Sequence, residues 1–91
     1  MIILDSFEQD LLCCHSPGKA EYILNPNGIS GTTEQITKTD KAYATLESKR
    51  LVRQIAGSKV MPFHGAIPKT PFILTEAGAE ERERLINERS Q

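Results

Sequence analysis

Apolar and polar positions in the first part of the chain follow helical spacing. The apolar positions recur every three or four residues, at Ile3 or Leu4, Phe7, Leu11 and Cys14. Acidic and amide side chains lie between them, as expected for an amphipathic helix. Asp5 or Ser6 is suited to cap its N-terminus, and Ser16-Pro17-Gly18 is suited to end it. The pattern therefore predicts a first helix over residues 5–14.

The next segment, Lys19–Leu24, is short and is followed by Asn25-Pro26-Asn27-Gly28, a strong turn signal. We predict that it forms a second helix packed against the first. A strand is the alternative, because Tyr22-Ile23-Leu24 also suits β structure. Residues 29–36 are rich in Ser, Thr and Gly, and the sequence predicts a linker there with room for one helical turn.

The stretch Thr37–Val52 predicts a helix that runs directly into a strand. On a helical wheel, its inner stripe contains Ile36, Thr39, Tyr43 and Leu46. Polar and basic side chains share the opposite face: Thr37, Lys38, Lys41, Thr45 and Ser48. Thr37 and Asp40 have capping-box spacing, which favours a helix start near Thr37. Thr32 and Gln35 have the same spacing and offer an earlier start.

After this helix the sequence predicts a β-hairpin. Residues 51–55 alternate loosely and are predicted to pair antiparallel with residues 71–75. Residues 57–70 between them form a long loop, the wing, whose large apolar residues are Val60, Met61, Phe63 and Ile67. That apolar content predicts that part of the wing packs on the body of the domain or meets another subunit.

The chain is predicted to end in a helix from Glu76 to about Arg89. Thr75 is suited to cap it, and Glu80 and Arg84 have the spacing of an ion pair along one helix face. Its apolar residues are few. We therefore predict that the first and last helices form the surface of a homodimer.

Length and composition restrict the class of protein. A chain of 91 residues is enough for one hydrophobic core, so we predict a single domain over residues 1–91. No apolar run approaches the ~20 residues of a membrane span, and the N-terminus lacks the features of a signal peptide. The adjacent Cys13 and Cys14 match no disulfide or metal-finger spacing, which favours a reducing cytoplasm.

Chemistry at Cys13-Cys14-His15 is the main alternative to a purely binding role. A metal or redox sensor, with His64 as a further ligand, is conceivable from the residue types. However, adjacent cysteines on a helix point roughly 100° apart, so they do not readily share one metal ion. We predict that Cys14 packs on the apolar face and that Cys13 is the more exposed. Without paired carboxylates, a nucleophile–histidine pair or a phosphate loop, the sequence predicts neither an enzyme nor a cofactor.

Charge is unevenly distributed along the chain. The net charge is −1, but residues 37–69 carry seven basic and two acidic side chains, a balance of +5. The rest of the chain carries a balance of −6. A nearly neutral chain thus contains a locally basic region, and the local potential is what a phosphate backbone meets.

Two short sequences carry a resemblance to a known family. Residues 42–47 and 72–78, reading AYATLE and FILTEAG, are similar to those of winged helix-turn-helix transcription regulators of the PadR and MarR type. In these proteins the DNA-reading helix ends in Leu-Glu, a strand begins at Leu-Val or Leu-Ile, and a second strand runs into Leu-Thr-x-x-Gly. The resemblance covers residues 37–90. It implies a mainly α-helical α+β fold with a three-helix core, a two-stranded β-hairpin wing and a C-terminal helix.

The resemblance also implies a function and a set of site residues. The function is sequence-specific binding of double-stranded DNA by a homodimeric transcriptional regulator, more often a repressor, with the third helix in the major groove and the wing on the backbone. The residues expected at DNA are Thr37, Lys38, Lys41, Thr45, Lys49, Arg50, Arg53, Lys59 and Lys69. Among them, Thr37 is expected to support a phosphate contact at the helix N-terminus. Arg50 stands where these families usually have Gly, so it must adopt a helix-ending conformation that Gly reaches more easily.

A protein-binding module is the competing interpretation. Winged helices bind proteins as well as DNA, so the fold does not decide between them. The apolar wing and the acidic flanks favour a protein partner. The basic central region and the polar outer face of the predicted reading helix favour DNA.

Overall fold

The computed structural model describes residues 3–24, 33–61 and 67–90. Along these residues the elements are α1 (Ser6–Cys14), α2 (Thr33–Ser48), β1 (Val52–Gln54), β2 (Phe72–Leu74) and α3 (Glu76–Arg89). The strands form one antiparallel two-stranded sheet, and most of the described residues are helical. The prediction of a mainly helical α+β fold is confirmed.

Helix α1 lies close to its predicted bounds. Its N-cap is Asp5, whose carboxylate accepts a hydrogen bond from the Glu8 amide, while the Glu8 carboxylate accepts one from the Asp5 amide. The buried side chains of the helix and its C-cap are Phe7, Leu11, Leu12 and His15. The capping box formed by Asp5 and Glu8 stabilises the N-terminus of α1, and the buried side chains attach the helix to the core.

The prediction about the two cysteines is wrong. Cys14 is exposed, whereas Cys13 is half-buried and packs against the core. The reason is that Leu12 and His15 are fully buried, which turns the inner face of α1 away from Cys14.

The predicted second helix over residues 19–24 is also wrong, because this segment is extended. The Glu21 N–H donates to the Phe72 C=O at 2.8 Å, and the Phe72 N–H donates to the Glu21 C=O at 2.7 Å. A six-residue segment is too short to be a stable helix by itself, so long-range pairing with β2 prevails. Tyr22 and Leu24 enter the core from this segment.

Helix α2 begins at Thr33, before the predicted start at Thr37. The predicted linker therefore ends in the first turn of α2, and residues 29–32 lie outside the described residues. The Gln35 Nε2 and Thr39 Oγ1 atoms both donate to the Leu24 C=O, at 3.1 and 3.2 Å. These bonds tie the first turns of α2 to the extended segment and explain the longer helix. The predicted inner stripe is confirmed: Thr39, Tyr43 and Leu46 are buried and Ile36 is half-buried.

The predicted hairpin is confirmed. Val52 lies opposite Leu74, and Gln54 lies opposite Phe72. Pairing continues beyond the strands, first through the Ile55 N–H and Pro71 C=O and then through a bridge between Val60 and Lys69. Residues 62–66 of the wing, including Phe63 and His64, lie outside the described residues.

Helix α3 has the predicted bounds and the predicted N-cap, Thr75. It packs against α1 and buries Leu85, and Arg89 lies 2.8 Å from Asp10 of α1. The predicted Glu80–Arg84 pair is replaced by contacts of Arg84 with Glu81 and Glu88. None of the helices in the described part of the chain has the length and apolar character needed to cross a membrane.

Candidate nucleic-acid interface

The outer face of α2 carries the polar and basic side chains that the sequence assigns to it. The exposed residues are Thr37, Lys38, Lys41 and Ser48, and Thr45 is half-exposed. The Lys38 Nζ atom lies 4.6 Å from the centre of the Phe7 ring, a cation–π contact that places its charge above the N-terminal part of α1. The Thr45 hydroxyl donates to the Lys41 C=O at 3.2 Å and is directed back along the helix. Lys38 and Lys41, together with the exposed Glu34 of the first turn, are thus the charges that this face presents to solvent.

Acidic side chains of α1 lie beside these two lysines. A shallow depression is lined by Asp5, Phe7, Glu8, Lys38, Lys41 and Ala42. The Asp5 and Glu8 carboxylates accept backbone hydrogen bonds in the capping box and thereby stabilise the N-terminus of α1. Neither forms an ion pair with a lysine among the described residues.

Thr37 does not lie at a helix N-terminus. Because α2 begins at Thr33, Thr37 is past the first turn, whose amides are the ones that lack helical partners. The expected phosphate contact at the helix N-terminus therefore does not apply to Thr37. Its exposed side chain remains on the same face as Lys41.

The C-terminal end of α2 is a Schellman motif with Arg50 in the left-handed conformation. The Leu51 N–H donates to the Leu46 C=O at 3.0 Å, and the Arg50 N–H donates to the Glu47 C=O at 2.9 Å. Arg50 has a φ of 62°, which confirms the conformation expected from its position in the sequence. This conformation costs a residue with a Cβ about 1–2 kcal/mol. Because glycine would avoid this cost, the presence of arginine at this position indicates a role for the arginine side chain.

The basic surface continues beyond α2. Its exposed members there are Lys49, Arg50, Arg53 and Lys59. Arg53 lies on β1 opposite Ile73, and the Lys59 Nζ atom donates to Thr70 Oγ1 at 2.9 Å across the hairpin. Among the described residues, the cations without a carboxylate partner are Lys38, Lys41, Lys49, Arg50, Arg53 and Lys59 in this region and Arg82 on α3.

Cations on the rest of the described surface are more often neutralised. Arg84 contacts two glutamates, Arg89 contacts Asp10, and Lys19 lies 3.6 Å from Glu21. The unpaired charges are therefore concentrated on α2 and the hairpin. Asp5 and Glu8 reduce the positive potential beside Lys38 and Lys41, and the remaining unpaired cations attract anions to that side of the molecule.

Lys69 differs from the other predicted DNA contacts because it is already paired. Its Nζ atom lies 2.9 Å from Asp40 Oδ2 and 5.9 Å from the centre of the Tyr22 ring. The Tyr22 hydroxyl donates to the other oxygen of Asp40. Lys69 thus holds the hairpin beside α2, and sequence reasoning missed this network because its members are far apart in the chain.

The Tyr22 hydroxyl keeps its proton and therefore remains a hydrogen-bond donor in this network. Burial raises the pKa of Tyr22 above its ordinary value, and the hydrogen bond to the Asp40 carboxylate raises it further. The phenol therefore stays protonated at physiological pH. Asp40 accepts from it while also facing the Lys69 ammonium group.

Beneath the outer face, Tyr43 joins α2 to the core. Its ring stacks on Phe72, with the two ring centres 4.2 Å apart. Its hydroxyl accepts from the Ile23 N–H at 2.8 Å and lies 2.6 Å from His15 Nε2. Burial raises the pKa of Tyr43 and lowers the pKa of His15, so both are neutral at pH 7. In either tautomer of the neutral imidazole, this hydrogen bond joins Tyr43 to the end of α1 and helps to fix the orientation of α2 over the sheet.

The hairpin has both buried and exposed apolar side chains. Val60 is half-buried and packs against the core, which confirms the prediction that part of the wing packs on the body. Met61 and Ile67 are 53% and 80% exposed. In the chain, Met61 directly follows Val60 and Ile67 comes two residues before Lys69, so both lie close to the bridge between Val60 and Lys69.

The described residues do not contain a group of three or more His, Cys, Asp and Glu side chains placed for a metal ion. His64, which the sequence suggested as a further ligand, lies outside the described residues. Partial desolvation and the neighbouring Asp10 charge raise the pKa of the Cys14 thiol. This shift disfavours the thiolate that a reactive cysteine needs.

The structure thus arranges the predicted site residues in two groups. The first half of α2, with Lys38 and Lys41, lies beside the hairpin that carries Lys59 and the paired Lys69. Lys49 and Arg50, by contrast, lie at the far end of the helix.

Comparisons with protein-family models, with curated proteins and with solved structures find no match to this chain.

Proposed function

We propose that this protein binds double-stranded DNA and regulates transcription, as a repressor. The observation that carries this function is the set of cations on α2 and the hairpin that have no carboxylate partner among the described residues. A phosphate backbone supplies the missing anions, and the release of its counterions favours binding. The polar side chains between these cations are suited to contact base edges.

The order of the elements supports a winged-helix arrangement. Helix α2 ends in the Schellman motif and leads directly into β1, which pairs with β2 across the hairpin. The extended segment at Glu21 lies on the other side of β2. One feature differs from the arrangement that the resemblance implies, because residues 19–24 are extended where a second helix was predicted.

In this function α2 lies in the major groove and the hairpin lies beside the neighbouring backbone. From Lys38 to Lys49 the helix rises about 16 Å, at about 1.5 Å per residue, which is enough to follow a groove about 12 Å wide. Thr45 faces the base edges, and Lys38 and Lys41 contact phosphates along the groove. Arg50, at the end of the helix, and Lys59, on the hairpin, contact phosphates on either side.

We also propose that the protein binds DNA as a homodimer, since two-fold regulators read two half-sites. The inner faces of α1 and α3 are occupied by each other, as the burial of Leu85 shows. The dimer therefore uses the groove beside α3 that is lined by Pro17, Ala79 and Ile86 and by the charged side chains Glu76, Glu80, Arg82 and Glu83.

The first prediction concerns DNA affinity and its dependence on salt. Fluorescence anisotropy of a labelled random duplex is expected to show binding that weakens steeply with salt. The double variant Lys38→Ala, Lys41→Ala is expected to bind roughly tenfold more weakly, with a salt slope smaller by about two, because each lysine lost removes about one phosphate contact.

Sedimentation of the complex on a palindromic duplex is expected to show two chains per duplex.

The matched control for the DNA-affinity prediction is Lys19→Ala. Lys19 is a lysine with a 69% exposed side chain, and it lies outside the proposed surface. Its replacement is expected to leave the affinity and the salt slope unchanged. Absence of binding at low salt would contradict the proposed function, and an equal loss in the Lys19→Ala variant would contradict the proposed surface.

A second prediction concerns Arg50, for which stability and binding are expected to change in opposite directions. Arg50→Gly relieves the left-handed conformation and should raise the free energy of unfolding by about 1 kcal/mol. The same change removes a cation, and DNA affinity should fall roughly fivefold. Urea unfolding and anisotropy measure the two effects. Arg50→Lys, which keeps the charge and the strain, is the control and should change neither by much.

A protein-binding module is the second candidate function, and one observation favours it. The hairpin carries two large apolar side chains that are exposed, Met61 and Ile67. Exposed apolar side chains are more typical of a protein contact than of a phosphate contact. If the protein fails to bind any duplex at low salt, this part of the hairpin becomes the better-supported functional site.

A further inference from the structure

The Asp40 carboxylate links three separate parts of the chain beside the proposed DNA surface. One oxygen accepts from the Tyr22 hydroxyl in the extended segment, and the other lies 2.9 Å from the Lys69 Nζ atom in the hairpin. The Lys69 N–H and C=O both bond to Val60, each at 2.8 Å, where the two arms of the hairpin meet. A continuous set of contacts therefore runs from α2 to the paired arms of the hairpin.

The charge of Asp40 is unfavourable for DNA binding when it is considered alone. Asp40 and Glu47 are the two acidic residues between positions 37 and 69. A carboxylate on this surface repels phosphates, and it also neutralises Lys69. Electrostatics alone therefore predicts that neutralising Asp40 strengthens DNA binding.

We propose the opposite: Asp40 is a positioning residue that fixes the hairpin beside α2, so that DNA meets both elements already in place. The inference rests on the proposed function for its effect on DNA. In the described residues beyond the strands, backbone bonds join the hairpin arms at Ile55 and Pro71 and again at Val60 and Lys69. Contacts with α2 are therefore important for holding this part of the hairpin in one orientation.

The degree of burial supports a positioning role. The Lys69 side chain is 25% exposed and lies over the Tyr22 ring, which is itself buried, while the Asp40 side chain is 46% exposed. A pair that is partly shielded and shared with a third group is held more firmly than an isolated surface pair. If the network is lost, DNA binding must also order the hairpin, and that ordering weakens the observed affinity.

The test compares two isosteric variants that each remove one negative charge from α2. Asp40→Asn removes the negative charge that Lys69 faces and replaces one acceptor oxygen with an amide group that only donates, so Tyr22 and Lys69 no longer share an anionic acceptor. It is expected to weaken duplex binding about tenfold, which corresponds to about 1.4 kcal/mol. Glu47→Gln is the matched control, and it is expected to leave binding unchanged or to strengthen it slightly. The salt slope should not fall in either variant, because neither loses a phosphate contact.

Tyr22→Phe provides a second arm that leaves every charge in place. It removes only the hydroxyl that donates to Asp40. It is expected to weaken binding in the same direction as Asp40→Asn. Far-ultraviolet circular dichroism and thermal unfolding establish that both variants are folded at the temperature of the titration.

Hydrogen exchange in the free protein tests the positioning role without DNA. The amides of Val60 and Lys69 are expected to exchange faster in Asp40→Asn, while the amides of Leu11 and Leu12 in α1 keep their protection. Unchanged exchange at Val60 and Lys69, or tighter DNA binding by Asp40→Asn, would overturn the positioning role. If the wild-type protein binds no duplex, the exchange measurement still decides whether Asp40 fixes the hairpin, and only the proposed function fails.

Discussion

Replacement of Gly78 by alanine is expected to lower the free energy of unfolding by about 3 kcal/mol, although helix propensity predicts a gain of about 1 kcal/mol. A Cβ at Gly78 would lie 1.8 Å from the carbonyl oxygen of Leu51 and 2.8 Å from its carbonyl carbon. These are backbone atoms, so no flexible side chain can move aside. The first turn of α3 must therefore shift away from the junction between α2 and β1.

That shift would also break the contacts that fix the start of α3. The Thr75 hydroxyl accepts from the Gly78 N–H at 3.0 Å and donates to the Arg50 C=O. The Thr75 N–H donates to the Leu51 C=O at 3.0 Å. Thr75 and Gly78 together attach α3 to the Schellman motif at the end of α2. This is a physical reason for a Leu-Thr-x-x-Gly sequence at this point.

Thermal unfolding measures the effect, and the midpoint is expected to fall by roughly 15 °C. Gly57→Ala is the control, because Gly57 has a φ of 84° but an added Cβ would meet nothing within 4 Å. Its cost should be only the conformational one, about 1 kcal/mol. A Gly78→Ala variant that unfolds at or above the wild-type midpoint would show that the backbone contact is not tight.

The elements with strong local signals are the ones that the sequence predicts well. Helices α1 and α3 have amphipathic or capped sequences, and their bounds agree with the structure. The hairpin agrees as well, because a loosely alternating segment and a short apolar segment lie on either side of the wing. In each of these cases the information lies within a few neighbouring residues.

The predictions that were wrong involve contacts between distant residues. The segment at residues 19–24 is extended because Glu21 pairs with Phe72; its local pattern suits both a helix and a strand and does not indicate this partner. Helix α2 starts early because Gln35 and Thr39 bond to the Leu24 C=O. The helical pattern assigns Cys14 to the inner face of α1, because it does not identify the next residue, His15, as part of the core.

The candidate site shows the same division. The helical wheel was sufficient to place Lys38 and Lys41 on the outer face of α2, and the position of Arg50 was sufficient to predict its left-handed conformation. The pairing of Lys69 with Asp40 required the folded chain. A count of basic residues therefore overstates the charge available to a ligand, because Lys69 is neutralised locally.

Replacement of Tyr43 by phenylalanine is expected to cost about 3 kcal/mol even though the ring is kept. The variant keeps the stacking on Phe72 but removes the hydroxyl shared by His15 and Ile23. Two polar groups then lose a partner in the interior, and each orphaned group costs about 1–3 kcal/mol. Because Tyr43 connects α2 to both the extended segment and the end of α1, the loss affects the whole domain.

Urea unfolding measures this cost, and Tyr22→Phe is the matched control. The Tyr22 hydroxyl bonds to Asp40, whose side chain is 46% exposed, so water can replace the lost donor and the cost should be about 1 kcal/mol. The contrast between two tyrosines that both contact the same core separates loss of a buried hydrogen bond from loss of a hydroxyl as such. Equal costs in the two variants would mean that water reaches His15 and Ile23 when the Tyr43 hydroxyl is removed. In that case ring packing, and not the hydroxyl, would be what fixes α2 over the sheet.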